Sequence, residues 1–217
     1  MNFRIQEILK TLIPGLWALA LATTFSYRYL DFSFIKAEVK DAASIYLIFL
    51  LTTAYVVGYF LDWLGSLFER IYYKRVPPPS FFLINGTTKR ITLSNDEEIF
   101  KFLCNDLNVT FTRPLARTNT SILFKRANVL KEKNKTVQMI DKINNYYFLK
   151  IFSRNLAVSF LFAFVLYITI YFGHLNHITS FNWFSFLSLL FFGFTILRWR
   201  EHAFYYSRQV IYAAYSE

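Results

Sequence analysis

The stretch "AASIYLIFLLTTAYVVGYFL", residues 42 to 61, establishes the class of this chain because it contains no charged side chain. A helix needs about 20 consecutive apolar residues to cross the hydrocarbon of a bilayer. The apolar run continues past Asp62 to Phe68, and a chain of 217 residues is too short to bury several such helices in a soluble core. We therefore interpret residues 42–68 as a transmembrane helix.

Further apolar segments of similar length are "TLIPGLWALALATTFSY" (11–27), "NLAVSFLFAFVLYITIYFG" (155–173) and "ITSFNWFSFLSLLFFGFTIL" (178–197). Of all residues 55% are hydrophobic and 18% are charged, against about 25% charged in a typical soluble domain. The sequence predicts an all-α polytopic membrane protein with four transmembrane helices. Pro14 is placed in the first turn of its helix, where a missing amide costs little. The first segment is expected to be retained, since its apolar run is too long for a signal-peptide core.

The distribution of charge predicts the orientation in the membrane. Residues 70–154 hold 16 Lys and Arg against six Asp and Glu, residues 28–41 hold three of each, and the loop "HLNH" holds no Lys or Arg. Positive charge marks the cytosolic side. We predict a bacterial inner (plasma) membrane protein with both termini in the cytosol. Four glycosylation sequons ("NGT", "NVT", "NTS", "NKT") would matter only in a secretory lumen, and the charge bias is the stronger signal.

These segments define the predicted domains. A transmembrane hairpin, 1–69, is followed by a basic cytosolic domain, 70–154, a second transmembrane hairpin, 155–197, and a juxtamembrane tail, 198–217. The domain organisation places one folded insert between spans two and three.

The sequence of the insert predicts a small α+β domain. "FFLINGTTKRITL", 81–93, predicts a β-hairpin with its turn at Asn85-Gly86. "SNDEEIFKFLCNDLN", 94–108, predicts a helix with a capping box formed by Ser94 and Glu97. Helical spacing is also found over 115–133 and over 136–154. The last of these segments should continue into span three as one long helix.

The stretch "RWREHAFYYSRQ", 198 to 209, raises the question of catalysis. Arg198 and His202 have the residue types of the Arg–His pair of HEPN-type ribonucleases, but their spacing is shorter than that motif requires. His174 and His177 lack a nearby carboxylate or cysteine, and a solvated loop explains them better than a metal site. We expect no enzyme, no cofactor and no metal. The basic and aromatic residues fit an interfacial belt instead: Arg198, Trp199, Arg200, Tyr205, Tyr206 and Arg208.

Asp62 is the charged residue within span two. It follows Ala54 and Gly58 at helical spacing, and small residues in that pattern allow helices to approach closely. The carboxylate either reaches headgroup water or is the buried partner of Arg198 or Arg70. A similar stripe on span one consists of Ala18, Ala22 and Ser26.

Polar residues also follow one side of span four. Asn182, Ser185, Ser188 and Thr195 could line a central surface in a homo-oligomer. They could equally pack against the other spans of one chain, an alternative that the sequence leaves open.

The remaining candidate contacts are cationic. A basic face next to a membrane favours anionic lipid, and nucleic acid or an acidic cytosolic protein partner is the alternative. The residues concerned are Lys125, Arg126, Lys131, Lys133, Arg198 and Arg200.

Two functional hypotheses follow. The first is an oligomeric channel or membrane-perturbing effector that is regulated through its cytosolic domain. The second is a membrane-anchored adaptor or sensor whose basic domain binds a protein, nucleic acid or a nucleotide signal. Small polytopic proteins with cytosolic sensing domains are frequent in bacterial anti-phage defence, and this architectural analogy suggests an antiviral role.

Overall fold

The computed structural model describes residues 3–26, 43–87, 93, 95–133, 137–173 and 181–215. All regular secondary structure in these residues is α-helical. The helices are α1 Phe3–Ser26, α2 Ala43–Arg75, α3 Pro79–Ile84, α4 Asp96–Asp106, α5 Arg117–Lys133, α6 Val137–Gly173 and α7 Phe181–Tyr215.

Two of the described helices are long and apolar enough to cross a membrane. They are Ser44–Arg75 within α2 and Gln138–Leu166 within α6, and a shorter apolar stretch, Ile8–Ala22, lies in α1. The other two predicted spans fall largely within α1 and α7. Their crossing of a bilayer remains a prediction.

The chain divides into two compact units. Unit one comprises residues 1–68 and 151–199, and unit two comprises residues 69–150 and 200–217. The helices α2, α6 and α7 each contribute residues to both units.

Unit one has a small apolar core and a wide apolar surface. Ala18, Leu61 and Val158 form the core. On α2, Ile45 and Phe49 are each 70% exposed, although both side chains are large and apolar. Exposed apolar surface on this scale is typical of contact with lipid or with another subunit.

Unit two is built around a larger hydrophobic core. Residues from α3, α4, α5, α6 and the end of α7 meet there, together with Leu93 and Leu115 from the segments between helices. The helical members are Leu83, Ile84, Ile99, Leu103, Cys104, Leu123, Ala127, Leu130, Ile143, Val210, Ile211, Ala213 and Ala214. The core of this unit therefore includes Val210, Ile211, Ala213 and Ala214, which belong to the predicted tail. Trp199, assigned to the interfacial belt by the sequence, is completely buried within unit one.

The predicted β-hairpin at 81–93 is wrong in its first half, because Pro79–Ile84 is helical. The Asn85-Gly86 turn ends this helix as a Schellman motif. The Gly86 amide donates a hydrogen bond to the Leu83 carbonyl oxygen, and the Thr87 amide donates one to the Phe82 carbonyl oxygen. Gly86 has φ +65°, the left-handed conformation that both a hairpin turn and this helix cap require. The pair Asn-Gly therefore marks a chain reversal without deciding between the two. Residues 88–92 lie outside the described part of the chain.

The remaining helices follow the predictions with shifted ends. Asn95 takes the N-cap position of α4 without a side-chain hydrogen bond, and the predicted cap residue Ser94 lies outside the described residues. One uninterrupted helix, Val137–Gly173, covers both the end of the insert and the third predicted span. Pro14 lies inside α1 and not in its first turn, since the helix begins at Phe3.

Candidate functional site

The helices α1 and α2 meet backbone to backbone. A Cβ atom added to Gly15 would lie 1.8 Å from the Ala54 carbonyl oxygen, and one added to Gly58 would lie 2.0 Å from the Thr11 carbonyl oxygen. No side chain fits at these distances, so glycine permits the contact. On α2 the contact involves Ala54 and Gly58 of the predicted stripe. The sequence predicted a different stripe on α1, namely Ala18, Ala22 and Ser26.

Asp62 lies one turn beyond Gly58 and forms an ion pair with Arg154 of α6. An Arg154 Nη donates to the Asp62 carboxylate over 2.5 Å. The Arg154 side chain is 7% exposed and that of Asp62 is 30% exposed. The partners predicted for Asp62 were Arg198 and Arg70, and the structure supplies Arg154 instead. The carboxylate is thus paired and retains some access to its surroundings.

Asn155 connects this ion pair to α1. Its side chain is completely buried, and its Nδ2 lies 3.1 Å from the Asp62 carboxylate and 3.3 Å from the Lys10 carbonyl oxygen. In a helix the Lys10 carbonyl would accept from the amide four residues later, but that residue is Pro14, which has no N–H. The Asn155 amide replaces the missing donor.

Ser159, one turn further along α6, extends the connection. Its hydroxyl lies 2.9 Å from the Asn155 carbonyl oxygen and 3.3 Å from the Pro14 carbonyl oxygen. Ser159 is 1% exposed, so these contacts are shielded from solvent. We refer to Asp62, Arg154, Asn155 and Ser159, with the carbonyls of Lys10 and Pro14, as the polar cluster.

Gly65 provides the space that the polar cluster needs. A Cβ atom there would lie 2.8 Å from Arg154 Nε and 2.9 Å from Asn155 Oδ1. A side chain at this position would displace the guanidinium from Asp62. The cluster therefore joins α2 to α6 through charge-assisted hydrogen bonds to Asp62, and α6 to α1 through neutral ones to backbone carbonyls.

The sequence contains signals for this cluster. Asn155 is the first residue of the third predicted span, and Arg154 is the last residue of the predicted cytosolic domain. A proline inside a helix requires a replacement donor for one carbonyl, and a buried Asn–Ser pair spaced by one turn is a suitable source. Which helix supplies that donor depends on tertiary packing, which a single sequence does not reveal.

Of the four polar residues predicted along one side of span four, the structure describes the side chains of two, Ser188 and Thr195. Ser188 is 6% exposed and Thr195 is 8% exposed, so both are buried within the chain. The Thr195 hydroxyl donates to the Phe191 carbonyl oxygen over 2.8 Å. For these two residues the structure favours packing within one chain over a central oligomeric surface. The side chains of Asn182 and Ser185 lie outside the described part of α7.

The cationic residues predicted to contact lipid or a polyanion differ in whether an acidic side chain pairs with them. Arg126 forms a bidentate ion pair with Asp106, and Lys131 lies 3.9 Å from the Glu132 carboxylate. Lys125 is exposed. The Lys133 side chain is not described.

The cations of α7 are placed differently again. Arg198 lies over the Phe194 ring at 5.4 Å, and Arg200 is half-buried. Tyr205 stacks on Tyr146 with 5.3 Å between ring centroids, so part of the predicted belt packs within unit two.

Among the described residues, no group of three His, Cys, Asp or Glu side chains is placed to hold a metal ion. His174 and His177 lie outside the described residues. Comparisons of the chain with models of known protein families, with curated proteins and with solved structures found no match. The polar cluster is accordingly the candidate site that the chain itself defines.

Proposed function

We propose that the chain is a four-span inner-membrane protein, with both termini and unit two in the cytosol, that acts as an oligomeric channel or membrane-perturbing effector. Unit two would regulate it. The wide apolar surface of α2 supports a membrane location, because exposed residues such as Ile45 and Phe49 would be costly in water. An antiviral role in bacteria extends this proposal by analogy only.

The observation that carries the proposal is the Asp62–Arg154 ion pair. Ionisable residues within membrane segments are rare and commonly mark conduction pathways or moving parts. An ion pair that joins α2 and α6, with Asn155 extending the connection to α1, is suited to stabilise one closed arrangement. Loss of either charge would remove this ion pair from a partly buried site, which favours rearrangement.

Conductance across planar bilayers tests this proposal. Reconstituted wild-type protein should conduct rarely, and Asp62→Asn should conduct more often. Lys101→Gln, an exposed change on α4, is the control and should match the wild type. If the conducting path opens near the basic unit two, anions should be preferred over cations. Silence of both wild-type and Asp62→Asn protein, with no leakage from dye-loaded vesicles, would contradict the proposal.

The oligomeric part of the proposal has its own measurement. Mass photometry of the protein in nanodiscs should give a particle that contains more than one chain. A particle with one chain would contradict the proposed oligomer, and only membrane perturbation by a single chain would then remain of the proposal.

The second candidate function is a membrane-anchored adaptor. It is favoured by the extensive core of unit two and by the exposed position of Lys125 on α5. Binding to acidic peptides, RNA and DNA should be measured with the full chain, because Val210 and Ile211 complete the core of unit two. A fragment of residues 70–154 would lack them.

A further inference from the structure

A cavity of about 520 Å³ opens on the surface of unit two. This volume lies in the range of small-molecule sites, roughly 300–1,000 Å³. Its walls combine two cations, two hydroxyls and two apolar side chains: Arg117, Lys125, Thr118, Ser121, Pro78 and Ile122. The cavity is separate from the polar cluster, which belongs to unit one.

Arg117 is held in place by backbone oxygens. Its two Nη atoms donate to the carbonyl oxygens of Lys74 and Val76 over 3.1 and 3.3 Å. Carbonyls at the end of a helix carry partial negative charge and do not neutralise a guanidinium. Arg117 therefore keeps its full positive charge at the edge of the cavity.

Lys125 lies on the same side of α5, two turns further along, and is exposed. Within the described part of the chain, neither Arg117 nor Lys125 forms an ion pair with a carboxylate. Arg126 and Lys131 of the same helix do form such pairs, with Asp106 and Glu132. Among the described cations of α5, those at the cavity therefore lack an acidic partner within the described residues, whereas Arg126 and Lys131 have one.

The absence of acidic residues extends beyond these side chains. Residues 70–95, which include Pro78, contain no Asp or Glu, and neither do residues 107–131, which include the part of α5 that lines the cavity. Both chain segments that form the walls are therefore purely cationic or neutral. A site of this composition concentrates anions.

We propose that this cavity binds the phosphate group of an anionic phospholipid headgroup. Arg117 and Lys125 supply the positive charge, and the Thr118 and Ser121 hydroxyls can donate to phosphate oxygens. Pro78 and Ile122 offer apolar contact to the glycerol portion of the lipid. Pro78 follows the end of α2 by three residues. The choice of a lipid over a soluble phosphate rests on the proposed membrane location of α2.

Native mass spectrometry of the full-length protein in detergent tests this proposal. The probes are dioctanoyl phosphatidylglycerol, dioctanoyl phosphatidylcholine, inorganic phosphate and ATP. Lys125→Gln removes one charge, and Ser121→Leu fills the cavity without a change of charge. Lys101→Gln is the matched control, because it removes an exposed lysine from α4.

Phosphatidylglycerol should bind more tightly than phosphatidylcholine, and Lys125→Gln should weaken its binding about fivefold, the usual effect of one lysine near an anionic lipid. Ser121→Leu should weaken it as well, and Lys101→Gln should have no effect. Equal weakening by Lys101→Gln, or equal binding of both lipids, would overturn the proposal. Binding of inorganic phosphate or ATP that depends on Lys125, without lipid binding, would also overturn the lipid assignment. None of these outcomes is measured by conductance. Failure of the lipid-binding proposal can therefore be distinguished from failure of the channel proposal.

Discussion

Asn155 of α6 donates a hydrogen bond to the Lys10 carbonyl oxygen of α1 over 3.3 Å, across 145 positions of the chain. That carbonyl lacks its helical donor because Pro14 follows four residues later. A proline within one helix is therefore matched by an amide side chain on another. Asn155 also donates a hydrogen bond to the Asp62 carboxylate. This one side chain therefore connects α1 to the Asp62–Arg154 ion pair.

Replacement of Asn155 by Leu should destabilise the protein by about 1–3 kcal/mol, because it removes the hydrogen bonds of a buried amide to the Asp62 carboxylate and the Lys10 carbonyl. In a Pro14→Ala background the cost should be smaller, since the substituted alanine restores an amide for the Lys10 carbonyl. Unfolding by sodium dodecyl sulfate, followed by tryptophan fluorescence in mixed micelles, measures both costs. An equal cost of Asn155→Leu in both backgrounds would show that the two residues act independently.

Gly58→Ala should separate α1 from α2. The added Cβ would lie 2.0 Å from the Thr11 carbonyl oxygen, and backbone cannot yield as a flexible side chain can. We expect a loss of at least about 1–3 kcal/mol in the same unfolding assay, the usual cost of overpacking. Gly193→Ala is the control, because a Cβ at Gly193 would meet no atom within 4 Å. If both variants unfold alike, the close contact of the helices does not contribute to stability.

Ile211→Ala should destabilise unit two, although position 211 lies in the predicted tail. Ile211 is completely buried in the core of that unit. Loss of such a side chain costs about 2–5 kcal/mol. Limited proteolysis should cut the variant faster than the wild type within residues 95–133, and Gln209→Ala, which changes a half-buried neighbour, should not alter the pattern. Unchanged protection of Ile211→Ala would place the tail outside the folded unit.

Cys104 should react slowly with iodoacetamide until unit two unfolds. Burial raises the pKa of its thiol above the ordinary value, and the thiolate is the reactive form. The folded state therefore binds the thiol proton more tightly than the unfolded state does. This contribution to stability is complete below the ordinary thiol pKa and declines as the pH rises from there through the folded pKa.

The melting temperature of the wild type should therefore decrease more steeply than that of Cys104→Ser between about pH 8 and pH 10. Parallel curves for the two proteins, or rapid alkylation of the folded protein at pH 7, would contradict the burial of Cys104.

The helical character of the fold could be predicted from the sequence because apolar length and helical spacing are local properties. The predicted span at 155–173 falls within the single helix α6, and the predicted span at 42–68 falls within α2 from residue 43 onward. The hairpin prediction failed at Asn85-Gly86, where a residue with positive φ serves equally to end a helix. Pro78 and Pro79 were the missed signal, since proline favours the first positions of a helix.

The polar cluster was predictable only in part. The unusual position of Asp62 in an apolar segment and the small residues before it were visible in the sequence. Its partner was not, because Arg154 is separated from it by 92 positions and other arginines were equally plausible. The role of the tail in unit two was hidden for the same reason: buried residues such as Val210 find their partners through tertiary packing.

The contribution of the ion pair to the joining of the helices can be measured with a double-mutant cycle on Asp62 and Arg154. Asp62→Asn, Arg154→Gln and the double variant would be unfolded with sodium dodecyl sulfate beside the wild type. Asp62→Asn alone should cost about 3–5 kcal/mol, because it removes the carboxylate charge that faces the buried guanidinium of Arg154. Arg154→Gln should cost less, since the Asp62 side chain is 30% exposed.

If the ion pair holds α2 and α6 together, the double variant should be more stable than the sum of the two single losses predicts, by more than about 1 kcal/mol. The pair Asp62→Asn and Lys101→Gln, whose residues lie in different units, should be additive within about 0.5 kcal/mol. Additivity of Asp62→Asn and Arg154→Gln would contradict the claim that this ion pair joins the membrane helices.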